Sequence, residues 1–137
     1  MSHDPLDASG RVFTRDPVLG TDEVVVTARW GDAVPQGVEV DPPDVVVVDP
    51  AGAVLHRQTR DKRTAHAVDP ETDLLVEHEV NVFRRRADVL DDDAVRRLVA
   101  AAREAERAAG GPIQADWTLR AGALRLQDAR LLPLDEP

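Results

Sequence analysis

The sequence predicts an α+β domain, a mainly antiparallel sheet with one long helix packed on a face. Three observations lead there. Short β-branched runs separated by Asp, Pro and Gly fill the first half of the chain, one segment after Leu90 changes to a helical period, and two further alternating runs follow it.

Taken in order, residues 1–10 are polar and contain Pro and Gly, and read as a flexible arm, with order beginning near Arg11. A single domain over residues 11–132 and a tail over 133–137, bracketed by Pro133 and Pro137, complete the expected organisation. RVF, the turn region TRDPVLGTD and EVVVTARW predict a short strand and a longer one containing the contiguous Val24, Val25 and Val26. Gly31 to Pro43 reads as a loop. DVVVVDPAGAVLHRQTR predicts a hairpin turning at Asp49-Pro50-Ala51-Gly52, its second strand starting near Val54. Val45 to Val48 is expected as an exposed apolar edge, suited to a partner or a second copy.

Thr64 to Thr72 reads as irregular, LLVEHEVNVF as a strand, and Arg84-Arg85-Arg86 as a linker able to face an acidic partner. From Leu90 the signals are helical. Asp91 to Asp93 offer an N-cap and first-turn acid, Val95, Leu98, Val99 and Ala102 fall on one stripe, and Gly110-Gly111 supply a stop. GGPIQADWTLRAGALRLQDARLLP then predicts a hairpin around Arg120-Ala121-Gly122.

Composition removes several function classes. The chain has 137 residues, a formal charge of −9 and no cysteine, so disulfide and thiolate-metal chemistry are absent and a reducing, cytoplasmic setting fits. The acidic balance opposes nucleic acid and anionic lipid as partners. No apolar run approaches the ~20 residues that span a bilayer, and the start lacks a leader pattern. Lys62 is the only lysine among 17 basic residues, a skew typical of GC-rich coding. His3, His56, His66 and His78 show no ligand or triad spacing, and neither GxxxxGK[ST] nor GxGxxG occurs.

The last hairpin carries the chemistry. Alternation puts Ile113, Ala115, Trp117 and Leu119 on one face and Gln114, Asp116 and Thr118 on the other; on the second strand it groups Leu124, Leu126, Asp128 and Arg130. Two carboxylates and a guanidinium on neighbouring strands can hold a magnesium ion and the triphosphate attached to it. The same residues also describe a solvated sheet face.

Several segments, in order, resemble the C-terminal part of the ATP-grasp nucleotide-binding domain of the pyruvate phosphate dikinase and phosphoenolpyruvate synthase family. VFTRDPVLG is similar to its "FTxDP"-and-glycine segment, EVVVTARWG to the strand ending in a tryptophan-glycine pair, and DVVVVDPAGAVLHRQTRDKR to the next hairpin and its Asp-Lys pair. GGPIQADW and LRLQDAR resemble "G-x-P-x-D-I-E-W" and "L-Q-A-R". The resemblance implies ATP and Mg2+ as cofactors. By position it assigns the metal-binding glutamate to Asp116, the glutamine to Asp128 (a second metal ligand) and the phosphate-binding arginine to Arg130. Gln114 stands where the family often has aspartate. Thr27, Ala28 and Arg29 take the adenine-side positions or simply finish a buried strand. Lys62, in RDKR, contacts phosphate or the neighbouring lobe, or is a solvated loop lysine. WGDAVPQG, with Pro35, departs from the family's glycine-rich continuation.

Full members add an N-terminal ATP-grasp portion, a phosphohistidine domain and usually a barrel. Their absence from this sequence implies a subunit of a split ATP-dependent phosphotransferase of kinase or dikinase type, whose partner carries the N-terminal lobe, the phosphohistidine domain or both. The alternative is a non-catalytic, degenerate binding or scaffolding module.

Overall fold

Alternating apolar and polar residues can be buried on one side only if neighbouring strands keep register, and here they do so in antiparallel pairs. The computed structural model describes residues 7–33 and 41–132. Most of the expected arm, Pro35 and the tail at 133–137 lie outside the described residues. The elements run β1 (Ala8–Phe13), β2 (Val24–Trp30), β3 (Asp44–Val48), β4 (Val54–Gln58), β5 (Thr64–Val68), β6 (Leu75–Glu79), α1 (Val82–Arg85), α2 (Asp92–Ala109), β7 (Ile113–Arg120) and β8 (Ala123–Leu131). A six-stranded sheet has the order β4-β3-β2-β1-β7-β8, and β5-β6 form a separate two-stranded sheet. The α+β expectation holds.

One face of the large sheet is the core. Val12, Val24, Val26, Val46, Val48, Ile113, Ala115 and Trp117 are buried there. Helix α2, which packs on β7, β8 and β1, brings Ala94, Val95, Leu98, Val99 and Ala102 to the same core. Each fully buried Val or Leu contributes about 1.5–3 kcal/mol, so this layer supplies the main stabilisation. The helix ends follow the sequence: Asp91 accepts from the Ala94 N–H at 2.8 Å, Asp92 and Asp93 occupy the first turn, and Gly110 caps the far end.

Strand β1 begins at Ala8, within the segment that reads as an arm, rather than at Arg11. Ala8 and Ser9 are each 2% exposed, because β1 lies between β2 and β7 in the middle of the sheet. The small residues that read as an arm are small for a packing reason. Trp117 crosses Gly10 to donate its indole N–H to the Thr27 carbonyl at 3.1 Å. A Cβ on Gly10 would lie 1.8 Å from that carbonyl oxygen and 2.9 Å from Trp117 Nε1. Val45 to Val48 is likewise no edge: β3 is enclosed by β2 and β4.

Two further segments differ from expectation. Thr64–Val68 is strand β5 rather than irregular chain, since tertiary contacts fix it where local propensity does not. Gly31, at φ 84, bridges His66, and a Cβ there would stand 2.3 Å from the His66 carbonyl oxygen. Asp32 accepts from the Val68 N–H at 3.1 Å, and Asp41 accepts from the Arg63 and Thr64 N–H groups at 2.7 and 3.2 Å. Arg84 and Arg85 belong to the short helix α1, capped by Asn81. Arg85 is consumed within the chain, gripping Asp61 through Nε at 3.0 Å and Nη2 at 2.8 Å. The guanidinium holds the Asp61 carboxyl below its ordinary value, and the carboxylate raises the Arg85 pKa in turn.

Candidate functional site

The face of the large sheet opposite α2 carries the outward half of each alternation, polar on β7 and in part apolar on β2 and β3. Register arranges it in rows across the strands. Val45, Thr27, Arg11, Asp116 and Gln127 form one row. Val47, Val25, Phe13, Gln114 and Arg130 form the next, and Arg29, Ser9, Thr118 and Arg125 lie on the other side of the first. With strands about 4.8 Å apart, Thr27 and Gln127 stand about 15 Å from each other. Four of the residues predicted from the sequence, Thr27, Arg29, Asp116 and Arg130, therefore share one surface.

Asp128 does not take the place alternation gave it. A register shift lies opposite Gln114 to Asp116, and Asp128 has φ 52, a left-handed conformation that marks a bulge holding one extra residue. The bulge reverses the facing of the rest of β8. Leu124 and Leu126 pair with Leu119 and Trp117 on the core side, whereas Arg130 pairs with Gln114 on the open side. Gln127, not Asp128, stands across from Asp116. This also repairs the comparison with "L-Q-A-R": LQDAR is one residue longer, and the bulge absorbs that residue so that Gln127 and Arg130 share a face. The extra residue was visible in the sequence; its conformational consequence was not.

Lys62 is not in these rows and is buried. Its side chain is 2% exposed, its Nζ lies 2.8 Å from Asp44 Oδ1, and it donates to the Arg60 carbonyl at 2.8 Å. Asp44, 3% exposed, also accepts from the Arg60 N–H at 2.8 Å and the Val89 N–H at 3.1 Å. Both ions are thus hydrogen-bonded, the condition under which a buried pair is tolerated. A solvated loop lysine does not describe it, and its ammonium is already paired where a phosphate contact would need it. Lys62 and Asp44 together tie the chain after β4 and the chain entering α2 to the start of β3.

On the open face, Arg11 donates through Nε to Asp116 Oδ1 at 3.3 Å, a partner that sequence reasoning missed. The signal was period two from Phe13, which puts Arg11 outward, but only the β1–β7 register identifies Asp116 as its neighbour. Arg29 is half-buried and has no carboxylate partner among the described residues; burial, and then the nearby Arg11 charge, lower its pKa from the ordinary arginine value. Arg120, at the end of the face, is engaged by Asp32. Among the described residues no group of three or more His, Cys, Asp or Glu side chains is placed to hold a metal ion.

The Mg2+ expected at Asp116 and Asp128 does not fit these donors. Asp116 is occupied by a guanidinium, and its cross-strand neighbour is a neutral amide. No helix among the described residues is long and apolar enough to cross a membrane. Comparison with known families finds a match over residues 1–131 to the family described as pyruvate phosphate dikinase, AMP/ATP-binding domain. No curated protein matches the chain.

Proposed function

The chain belongs to the family of the pyruvate phosphate dikinase AMP/ATP-binding domain, and on that premise we propose that the open sheet face is one wall of an ATP site. In this reading the triphosphate lies over β1, β7 and β8, where Arg130, Gln127 and Arg11 present donors. The base lies toward β2 and β3, beside Thr27 and the apolar Val25, Val45 and Val47. Arg29 flanks the phosphates. The supporting observation is the register that gathers Thr27, Arg29, Gln127 and Arg130 on a face that α2 does not cover.

The proposed role is that of an ATP-grasp C-terminal-lobe-like subunit of a split phosphotransferase resembling phosphoenolpyruvate synthase. Phosphoryl transfer depends on positioning and on electrostatic stabilisation of the group in flight. A single wall aligns the nucleotide but does not enclose it, so the second wall comes from a protein carrying the N-terminal lobe, the phosphohistidine domain or both. Calorimetric titration of ATP into the chain tests the site. Binding is expected, and Arg130→Ala with Gln127→Ala should weaken it at least tenfold, as loss of charge-assisted hydrogen bonds does. Unchanged affinity in that double variant would remove the site from this face.

A second reading, a non-catalytic binding or scaffolding module, is favoured by one observation: the Arg11–Asp116 ion pair occupies the carboxylate that the family resemblance assigns to metal. The two readings separate on adding a polypeptide with the N-terminal lobe. Restored phosphoryl transfer supports the subunit; tight binding without turnover supports the module.

A further inference from the structure

We propose that the open face binds the polyphosphate of its nucleotide as a free anion, with Arg11 standing where a divalent cation would otherwise bridge Asp116 to the phosphates. The inference rests on the ATP-site reading above and deepens it.

The first ground is charge. The chain carries a net −9, yet the described residues that register places on this face include Arg11, Arg29, Arg125 and Arg130 against one carboxylate, Asp116. Even if Asp128 on the bulge is counted with Asp116, guanidinium groups outnumber carboxylates two to one. Such a surface attracts a polyanion and opposes a divalent cation at short range.

The second ground is geometry. Mg2+ is usually held by one or two carboxylates together with substrate phosphates, in near-ideal octahedral coordination. Here the carboxylate already accepts from Arg11 Nε at 3.3 Å, and the residues nearest it across and along the strands, Gln127, Gln114 and Thr118, are neutral. Arg11 and Asp116 are both substantially exposed, with side-chain exposures of 59% and 42%, so the pair is open to solvent and an arriving phosphate reaches the guanidinium. Arginine presents a planar fork that suits phosphate oxygens, and it stays charged. The remaining N–H groups of Arg11 then serve the phosphate while Nε keeps Asp116, so Asp116 is taken up by the guanidinium and does not ligate metal.

The third ground is the crowding of cations. Arg29 lies close enough to Arg11 for the two charges to repel, and that repulsion contributes to the lowered pKa of Arg29. An anion placed between them relieves it.

The test is titration of the full chain with ATP in EDTA, with ATP in excess Mg2+, and with tripolyphosphate in EDTA. Free ATP is expected to bind more tightly than its magnesium complex, by roughly tenfold, because the metal cancels half the charge the arginines read. Tripolyphosphate should compete. Arg11→Gln should weaken free-ATP binding roughly tenfold to hundredfold. Asp116→Asn, which leaves the backbone untouched and removes a repelling charge, should retain or strengthen it. Binding that requires Mg2+ and is lost in Asp116→Asn would overturn the proposal while leaving the ATP site intact. Absence of binding by any of the three titrants would overturn both.

Discussion

The two faces of the six-stranded sheet are built from the same strands and differ in every physical respect. The covered face holds Val12, Val26, Val46 and Trp117 at 0–1% exposure under α2. The open face places Arg11, Arg29, Asp116, Gln127 and Arg130 in register without an element packed across them among those described. Cations show the contrast most sharply. Lys62 is buried and paired with Asp44, whereas Arg11 and Arg130 face solvent. Type of residue therefore says little about role in this chain; the side of the sheet on which it falls says much.

The largest expected effect tests that division at Lys62. Lys62→Ala leaves the Asp44 carboxylate buried without its charge partner, and should cost about 3–5 kcal/mol in urea unfolding. A loss below about 1 kcal/mol would mean the pair is solvated and would return Lys62 to the set of ligand contacts. Trp117→Ala should cost a comparable ~3–5 kcal/mol, since it empties the core and frees the Thr27 carbonyl. Gly10→Ala is expected to cost about 1–3 kcal/mol or more, measured the same way, because the new methyl meets backbone rather than a side chain able to move.

On the open face the prediction reverses. Thr27→Val and Arg130→Ala should each change stability by no more than about 0.5 kcal/mol while Arg130→Ala weakens ATP. A large loss of stability there would show that the face is structural. The smallest effect concerns acid. Asp61 has its pKa lowered from 3.8 in the folded chain, chiefly by its hydrogen bond with Arg85, so its stabilising contribution is present above that value and disappears as the pH falls through the lower folded value. Asp61→Asn should lower stability modestly at neutral pH and converge with the parent chain as the pH falls below the ordinary carboxylate range, which flattens the acid limb of the stability-against-pH curve.

Much of the architecture was legible because local and tertiary preferences agree. The valine runs, the Asp49–Gly52 turn, the capped helix and the Arg120–Gly122 hairpin are written in residues that favour those conformations by themselves. The misses share a cause. Ala8 to Gly10 look loose, TAHAV lacks a strand signal, and both become strands because neighbours complete them. Arg85 looked free until Asp61, 24 residues earlier, met it.

For the open face, the sequence by itself determined which residues of β7 point outward, since side chains alternate along an unbroken strand, and it supplied the family match that makes ATP the expected ligand. Only the tertiary structure decided who stands beside whom. One bulged residue, Asp128, exchanged itself for Gln127 opposite Asp116, and pairing across 105 positions of sequence set Arg11 on that same carboxylate. Facing is a local property with a period of two, whereas neighbourhood depends on strand order, register and bulges, which form only when distant segments pair.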